Sequence, residues 1–248
     1  MRTVSATRYV TPLREGGSLP ALVEADDDGL YVVKLRGAGQ GPKALVAELI
    51  VGELARALGL PVPEQVFVEL DPQLPDAEPD PEIQELLHAS AGCNVGIDFL
   101  PRSLPYNPAA SFAPDPELAA AIVWLDAFSE NVDRTPRNPN LLVWHGRLWL
   151  IDHGAALYKQ HAGLDPSAAD GAFAAIRDHV LLPAAGSIAG ADARLAPLVT
   201  RELLERLVAA VPREWFGALE PPTYVDYLAA RVTAPRAFAE EAERARTA

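Results

Sequence analysis

From Leu118 to Phe128 the chain reads as a helix with no solvent face. Leu118, Ile122, Leu125 and Phe128 recur at helical spacing, most residues between them are also apolar, and Asp115 stands where a side-chain cap would start the run. Such a helix belongs in a core. It is not a membrane span, because the longest uninterrupted apolar run, Leu118 to Leu125, is far below the roughly 18 residues a bilayer requires. The chain must therefore build a globular interior around it, and 248 residues suffice to bury most apolar surface in one large domain or two small lobes. No staple is needed. Cys93 is the only cysteine, which excludes an internal disulfide and a Cys-rich zinc module and points to a reducing, cytoplasmic setting. The opening Met1-Arg2-Thr3-Val4-Ser5 lacks the apolar core of a secretory signal.

Charge narrows the partners. A formal net charge of −13, with lysine only at 34, 43 and 159 and the arginines dispersed, disfavours direct binding of nucleic acid or anionic lipid.

Ahead of the buried helix, the segments Arg8–Leu13, Leu19–Ala25 and Leu30–Leu35 read as strands, the last two joined by the turn Asp26-Asp27-Asp28-Gly29. They predict an antiparallel meander. Leu45, Val46, Leu49, Ile50, Leu54 and Leu58 then recur at helical spacing from Lys43, until Gly59 and Pro61 stop the run. Gln65–Leu70 reads as a fourth strand, residues 71–81 as a Pro- and Asp-rich solvated linker, Glu82–Ala89 as a short helix and Val95–Leu100 as a strand. Four prolines between Pro101 and Pro114 place a boundary near residue 101. Beyond the core helix, Leu141–Trp144 and Leu148–Ile151 form a hairpin across His145-Gly146-Arg147, and the remainder reads mainly as helices.

The chemistry concentrates on that hairpin. Asn131-Val132-Asp133-Arg134-Thr135-Pro136-Arg137-Asn138-Pro139-Asn140-Leu141 is followed by Leu150-Ile151-Asp152-His153-Gly154, so two carboxylates and a carboxamide flank one small unit. A loop carboxylate can sit beside a substrate hydroxyl while a strand-end carboxylate faces a divalent cation. These are the parts of a phosphoryl-transfer site. Upstream, Tyr31-Val32-Val33-Lys34 puts a cation at the end of an apolar strand, and Ala47-Glu48-Leu49-Ile50 puts an acid on a small, apolar helix face. Glu53 has similar flanks, so the residues alone do not choose between the two acids.

In this order of strand lysine, helix glutamate, loop aspartate and strand-end aspartate, the chain resembles the protein-kinase-like superfamily, in particular the HipA-like kinases. Their catalytic hairpin is similar to that of phosphoinositide kinases. Ala55-Arg56-Ala57-Leu58-Gly59-Leu60-Pro61-Val62-Pro63 is similar to the helix exit in HipA-like proteins, and the resemblance spans nearly the whole chain.

The resemblance implies a small bilobal α+β kinase-like fold: a nucleotide-binding lobe over residues 1–100, with an antiparallel sheet and one long helix, and a mainly helical catalytic lobe over 101–248. It implies ATP between the lobes, with Lys34 on its phosphates, Glu48 orienting Lys34, Asp133 acting on the acceptor hydroxyl, and Asn140 with Asp152 holding magnesium. Adenine would meet backbone near Asp98, Phe99 and Leu100, and Gly16-Gly17-Ser18 would cover a phosphate. Three departures stand out. The usual five-residue spacing from the aspartate selects Asn138, whereas Asn140 directly precedes the strand; Arg134-Thr135 stands where a histidine often neighbours the aspartate; and His153 replaces the phenylalanine of Asp-Phe-Gly.

The implied activity is ATP-dependent phosphorylation of a protein serine or threonine. A small-molecule or lipid-headgroup kinase, and an inactive nucleotide-binding module with a regulatory protein partner, are the alternatives. Gly37 to Ala44 lacks both a dinucleotide fingerprint and the Ser/Thr of a Walker loop, and His145, His153 and Asp152 lack metal-hydrolase spacing. The four tryptophans sit at apolar positions and read as core.

Overall fold

The computed structural model describes residues 1–13, 19–39, 41–74 and 78–248. Five strands, β1 (Thr3–Pro12), β2 (Ala21–Ala25), β3 (Leu30–Lys34), β4 (Gln65–Leu70) and β5 (Gly92–Asp98), close into a barrel in the order β1-β2-β3-β5-β4. The antiparallel meander β1-β2-β3 is present, but the expectation of a purely antiparallel sheet is corrected. β4 returns beside β1 in parallel, with Thr3, Val4 and Ser5 opposite Phe67, Val68 and Glu69, and this pairing closes the barrel. It needs the start of β1, Thr3 to Thr7, ahead of the Arg8 at which a strand was expected, and Val4 and Ala6 there are buried. Register shifts between Ala6 and Arg8 and between Tyr9 and Thr11 accompany the curvature.

Between β3 and β4 runs α1 (Pro42–Ala57), whose ends lie within one residue of the periodicity. Pro42 at its first turn needs no hydrogen-bond partner, and Gly41 takes a positive φ of 67° to enter it. Ten of its residues are buried because it is covered twice: by β4 and β5 on one side, and by helix α5 (Arg201–Ala209) and the turn Arg213–Phe216 on the other. Val95 and Ile97 of β5 pack in the same cluster as α1, while Gly96 between them faces the barrel interior. A short α2 (Pro81–Ala89), capped by Asp80, adds Ile83 and Leu87 to the interior cluster of Val4, Val23, Tyr31, Val33, Val66 and Val68.

Gly96 supplies a test of that interior. A Cβ there would lie 2.4 Å from Val68 Cγ2 and 3.0 Å from Val66 Cγ2. Gly96→Ala is therefore expected to destabilise the protein by about 1–3 kcal/mol, as overpacking does. Urea unfolding reads the change, and an unshifted midpoint would mean that the strand yields freely.

The apolar helix is α3 (Pro116–Ser129), capped by Asp115 Oδ1, which accepts from Leu118 N at 2.8 Å; every residue from Ala119 to Ser129 is buried. Trp124 stacks on Phe128 at 5.4 Å between centroids, and Phe238 meets both. Three further helices, α4 (Ile188–Leu195), α6 (Pro221–Val232) and α7 (Ala237–Thr247), pack against it. Its last carbonyls are satisfied by a buried cation: Arg231 donates to Ala127 O at 2.8 Å and Phe128 O at 2.6 Å.

Where helices were expected just after the hairpin, residues 158–184 form only single 3-10 turns. The hairpin itself is β7 (Leu141–Trp144) and β8 (Arg147–Leu150), joined through His145 and Gly146 at φ 49° and 72°, as a two-residue turn requires. A two-residue strand, β6 (Leu104–Pro105), pairs on the far edge of β7. Among the described residues no helix is long and apolar enough to cross a membrane.

Candidate active site

β3 lies between β2 and β5 in the barrel and ends on Lys34, which delivers the lysine ammonium beside α1. Lys34 Nζ donates to Glu48 Oε2 at 2.8 Å and also to Asp152 Oδ1, residues 14 and 118 positions away. The Lys34 side chain is 12% exposed, that of Glu48 1% and that of Asp152 41%. Burial alone would lower the pKa of Lys34, but the two carboxylates outweigh it and the net shift is upward. Burial likewise pushes Asp152 up, and Lys34 more than reverses it. Both groups are held charged.

Glu48 does more than face the lysine. Its Oε2 also accepts from the backbone N–H of His153 at 2.8 Å, so the helix acid ties the strand-end segment to α1. Gln65 Nε2 donates to Glu48 O at 3.0 Å from the opposite side. Glu53 points elsewhere and pairs with Arg56 at 3.2 Å. Gly154 approaches the first turn of α1 closely; a Cβ on it would lie 3.5 Å from Ala44 O.

Across the hairpin, Asp133 Oδ2 accepts from Asn138 Nδ2 at 2.7 Å and from Asn140 Nδ2 at 3.2 Å. Both candidate asparagines therefore sit at the loop aspartate. They differ in setting: Asn138 is exposed, whereas Asn140 is 9% exposed, directly precedes β7 and has a left-handed φ of 48°. Asp152 shares that conformation at φ 56°.

Beneath these groups lies a buried polar cluster that the sequence reading missed. Asp126 of α3 is wholly buried, and its Oδ2 accepts from Arg134 Nε at 2.5 Å and from His179 Nε2 at 2.9 Å. Its Oδ1 accepts from Asn131 Nδ2 at 3.1 Å, and Asn131 Oδ1 accepts from the N–H of Asp133 at 3.1 Å. Arg134 Nη1 donates to the carbonyls of Asn140 and, at 3.2 Å, Ile151, while its Nη2 approaches His153 Nδ1 at 3.5 Å. Burial alone would raise the pKa of Asp126, yet Arg134 and His179 hold it below the usual carboxylate range. One signal was available: Asp126 is the only ionisable residue between Leu118 and Phe128, and a charge on an otherwise apolar helix needs a partner.

His179 is fixed neutral by geometry. Its Nε2–H is donated to Asp126, and its Nδ1 accepts the N–H of Leu181 at 3.0 Å, so a second proton has no place. Burial accordingly lowers its pKa below 6.5, and burial takes the enclosed His153 down to about 4. Because the unfolded chain then binds more protons, stability is complete above about pH 6.5 and falls as the pH drops towards 4. The depressed carboxylates Asp126 and Asp152 extend the loss only below about pH 4. Urea midpoints should drop between about pH 7.5 and pH 5, and His179→Asn should flatten that slope. An equal slope in the variant would assign the protons elsewhere.

Of the other residues singled out, Asp98 N donates to Glu64 O and Phe99 N to Leu30 O, both at 2.9 Å, while Leu100 is 5% exposed. Gly16, Gly17 and Ser18 lie outside the described residues.

The fold is shared. The crystal structure of a Helicobacter pylori proinflammatory kinase, CtkA, is similar to this chain with a TM-score of 0.58, covering 99% of this chain and 98% of that one at 12% sequence identity. A family model described as HipA-like kinase matches residues 7–233, and the chain belongs to that family. A search of curated proteins finds no match.

Proposed function

We propose that this kinase transfers the terminal phosphoryl group of ATP, in the presence of magnesium, to a serine or threonine hydroxyl of a protein. The observation that carries the reading is the meeting of Lys34 with both Glu48 and Asp152, because a cation fixed between two carboxylates marks where phosphate and metal charges would be exchanged.

The residues suit the group they would hold. Asp152 and Asn140 offer one carboxylate and one carboxamide as hard oxygen donors. That suits magnesium, which binds through one or two side chains and completes its shell with phosphate and water. When bound, the ion would neutralise charge on the phosphates.

In this reading Lys34 donates to the phosphates and Glu48 keeps the ammonium in place. Asp133 receives the proton of the acceptor hydroxyl as the bond from that oxygen to phosphorus forms and the bond to the β-phosphate oxygen breaks, releasing ADP. Two amide donors on Asp133 Oδ2 fix the carboxylate's orientation. Adenine meets backbone groups near Asp98, Phe99 and Leu100, where the N–H groups of Asp98 and Phe99 already donate to Glu64 O and Leu30 O. The chain divides at residue 100 into a nucleotide-binding lobe and a catalytic lobe, acts in the cytoplasm, and takes a protein substrate rather than nucleic acid or a membrane.

Incubation of the protein with labelled ATP and magnesium, with and without cell lysate, tests the acceptor by mass spectrometry. A labelled polypeptide is the expected product. A labelled metabolite or lipid headgroup would replace the protein acceptor, and nucleotide binding without any transfer would make the chain a regulatory module.

A further inference from the structure

One buried carboxylate is linked, through two side chains, to backbone groups at three points of the hairpin. Through Asn131, Asp126 controls the N–H of Asp133; through Arg134, it controls the carbonyls of Asn140 and Ile151, the second of which directly precedes Asp152. The two residues offered as magnesium ligands both have left-handed backbone, at φ 48° and 56°. For a residue with a Cβ that conformation is uncommon, although Asn and Asp tolerate it better than most, and it persists only where surrounding bonds hold it. Ordinary strand pairing does not supply them all. Leu141 and Leu150 close the β7–β8 ladder, and just outside it Ile151 N donates to Asn140 O at 3.1 Å. The same Asn140 carbonyl, together with that of Ile151, turns onto one guanidinium nitrogen.

From this we propose that Arg134, anchored by Asp126, which His179 in turn holds, is the positioning residue of the metal site. It holds the backbone at Asn140 and before Asp152 so that the carboxamide and the carboxylate present their oxygens together. The inference rests on the assignment of magnesium to these two side chains. Arg134 touches neither nucleotide nor acceptor in this scheme; it acts through two carbonyls. Only a planar fork with several donors can reach Asp126, two carbonyls and the His153 ring at once, which a lysine ammonium in the same place cannot.

The test is a magnesium titration of the ATP-induced melting shift in the full-length protein and in Arg134→Lys, with a parallel ATP titration in EDTA. Arg134→Lys keeps a cation beside Asp126, so no buried charge is stranded. We expect metal-free ATP binding within about twofold of wild type, and about a tenfold or greater rise in the magnesium concentration giving half the shift, the usual effect of disturbing the groups behind a metal ligand. A merely structural role lowers the melting temperature and leaves the magnesium midpoint where it was; that result overturns the proposal. If Arg134→Lys does not fold, Asp126→Asn combined with Arg134→Met removes both charges and carries the same titration. A chain that folds with neither is one in which the pair serves the fold, which also overturns the proposal. A wild-type protein with no magnesium-dependent shift would instead sink the assignment of the metal itself.

Discussion

Asp152→Ala is expected to lose both the magnesium-dependent part of ATP stabilisation and phosphoryl transfer, whereas Asp133→Asn keeps the first and loses the second. The two carboxylates sit on one hairpin but face different partners. Asp152 lies against Lys34, where metal and phosphate charge would be held, so its removal takes away a ligand and the binding linked to it. Asp133 is set among Asn138 and Asn140. An amide at position 133 can still accept from both of them but cannot take a proton, so transfer should fall by roughly a hundredfold or more with the melting shift nearly intact. Thermal melts with ATP, with and without magnesium, and initial rates of transfer separate the cases. Loss of the shift in Asp133→Asn together with a functional Asp152→Ala would show that the roles are exchanged or absent.

The second large effect concerns Lys34 and Glu48. Lys34→Met leaves Glu48 buried without its cation, and Glu48→Gln leaves the Lys34 ammonium with Asp152 alone, so each should cost stability, by about 3–5 kcal/mol where a buried charge is stranded. In the double variant the stranded charge is gone, and the combined loss should fall short of the sum by about 0.5–3 kcal/mol. Glu48→Ala, which unlike glutamine leaves no oxygen to accept the N–H of His153, should also weaken nucleotide binding beyond the lysine contact. Glu53→Gln is the control: its partner Arg56 is half exposed, and its loss should cost no more than about 1 kcal/mol. Strict additivity of the Lys34 and Glu48 variants in urea unfolding would deny their coupling.

How far the chain could be read in advance varies with the range of the interactions concerned. α1 and α3 are visible in their periodicity and caps because a helix closes its hydrogen bonds within four residues. Lys34 is likewise local, a cation ending an apolar strand. Its partner was not: Glu48 and Glu53 have similar flanks, and the choice is made by His153 and Gln65, which approach Glu48 from other parts of the chain. Asp126 was hidden for a related reason. Its place on an apolar helix announces a need for partners, but Arg134, Asn131 and His179 answer it from separate loops.

Local pattern sufficed for the elements that bury their own periodicity: the core helix without a polar face, the hairpin between Leu141 and Ile151, and the order of lysine, glutamate and two aspartates along the chain. Only packing decided that β4 lies parallel to β1 and closes the barrel, that Lys34 reaches an aspartate 118 residues away, and that one arginine donates to the carbonyls of both Asn140 and Ile151. The physical reason is that side-chain periodicity records which face of an element is buried, whereas strand pairing and buried charge are satisfied by whichever distant segment packing brings within hydrogen-bond reach.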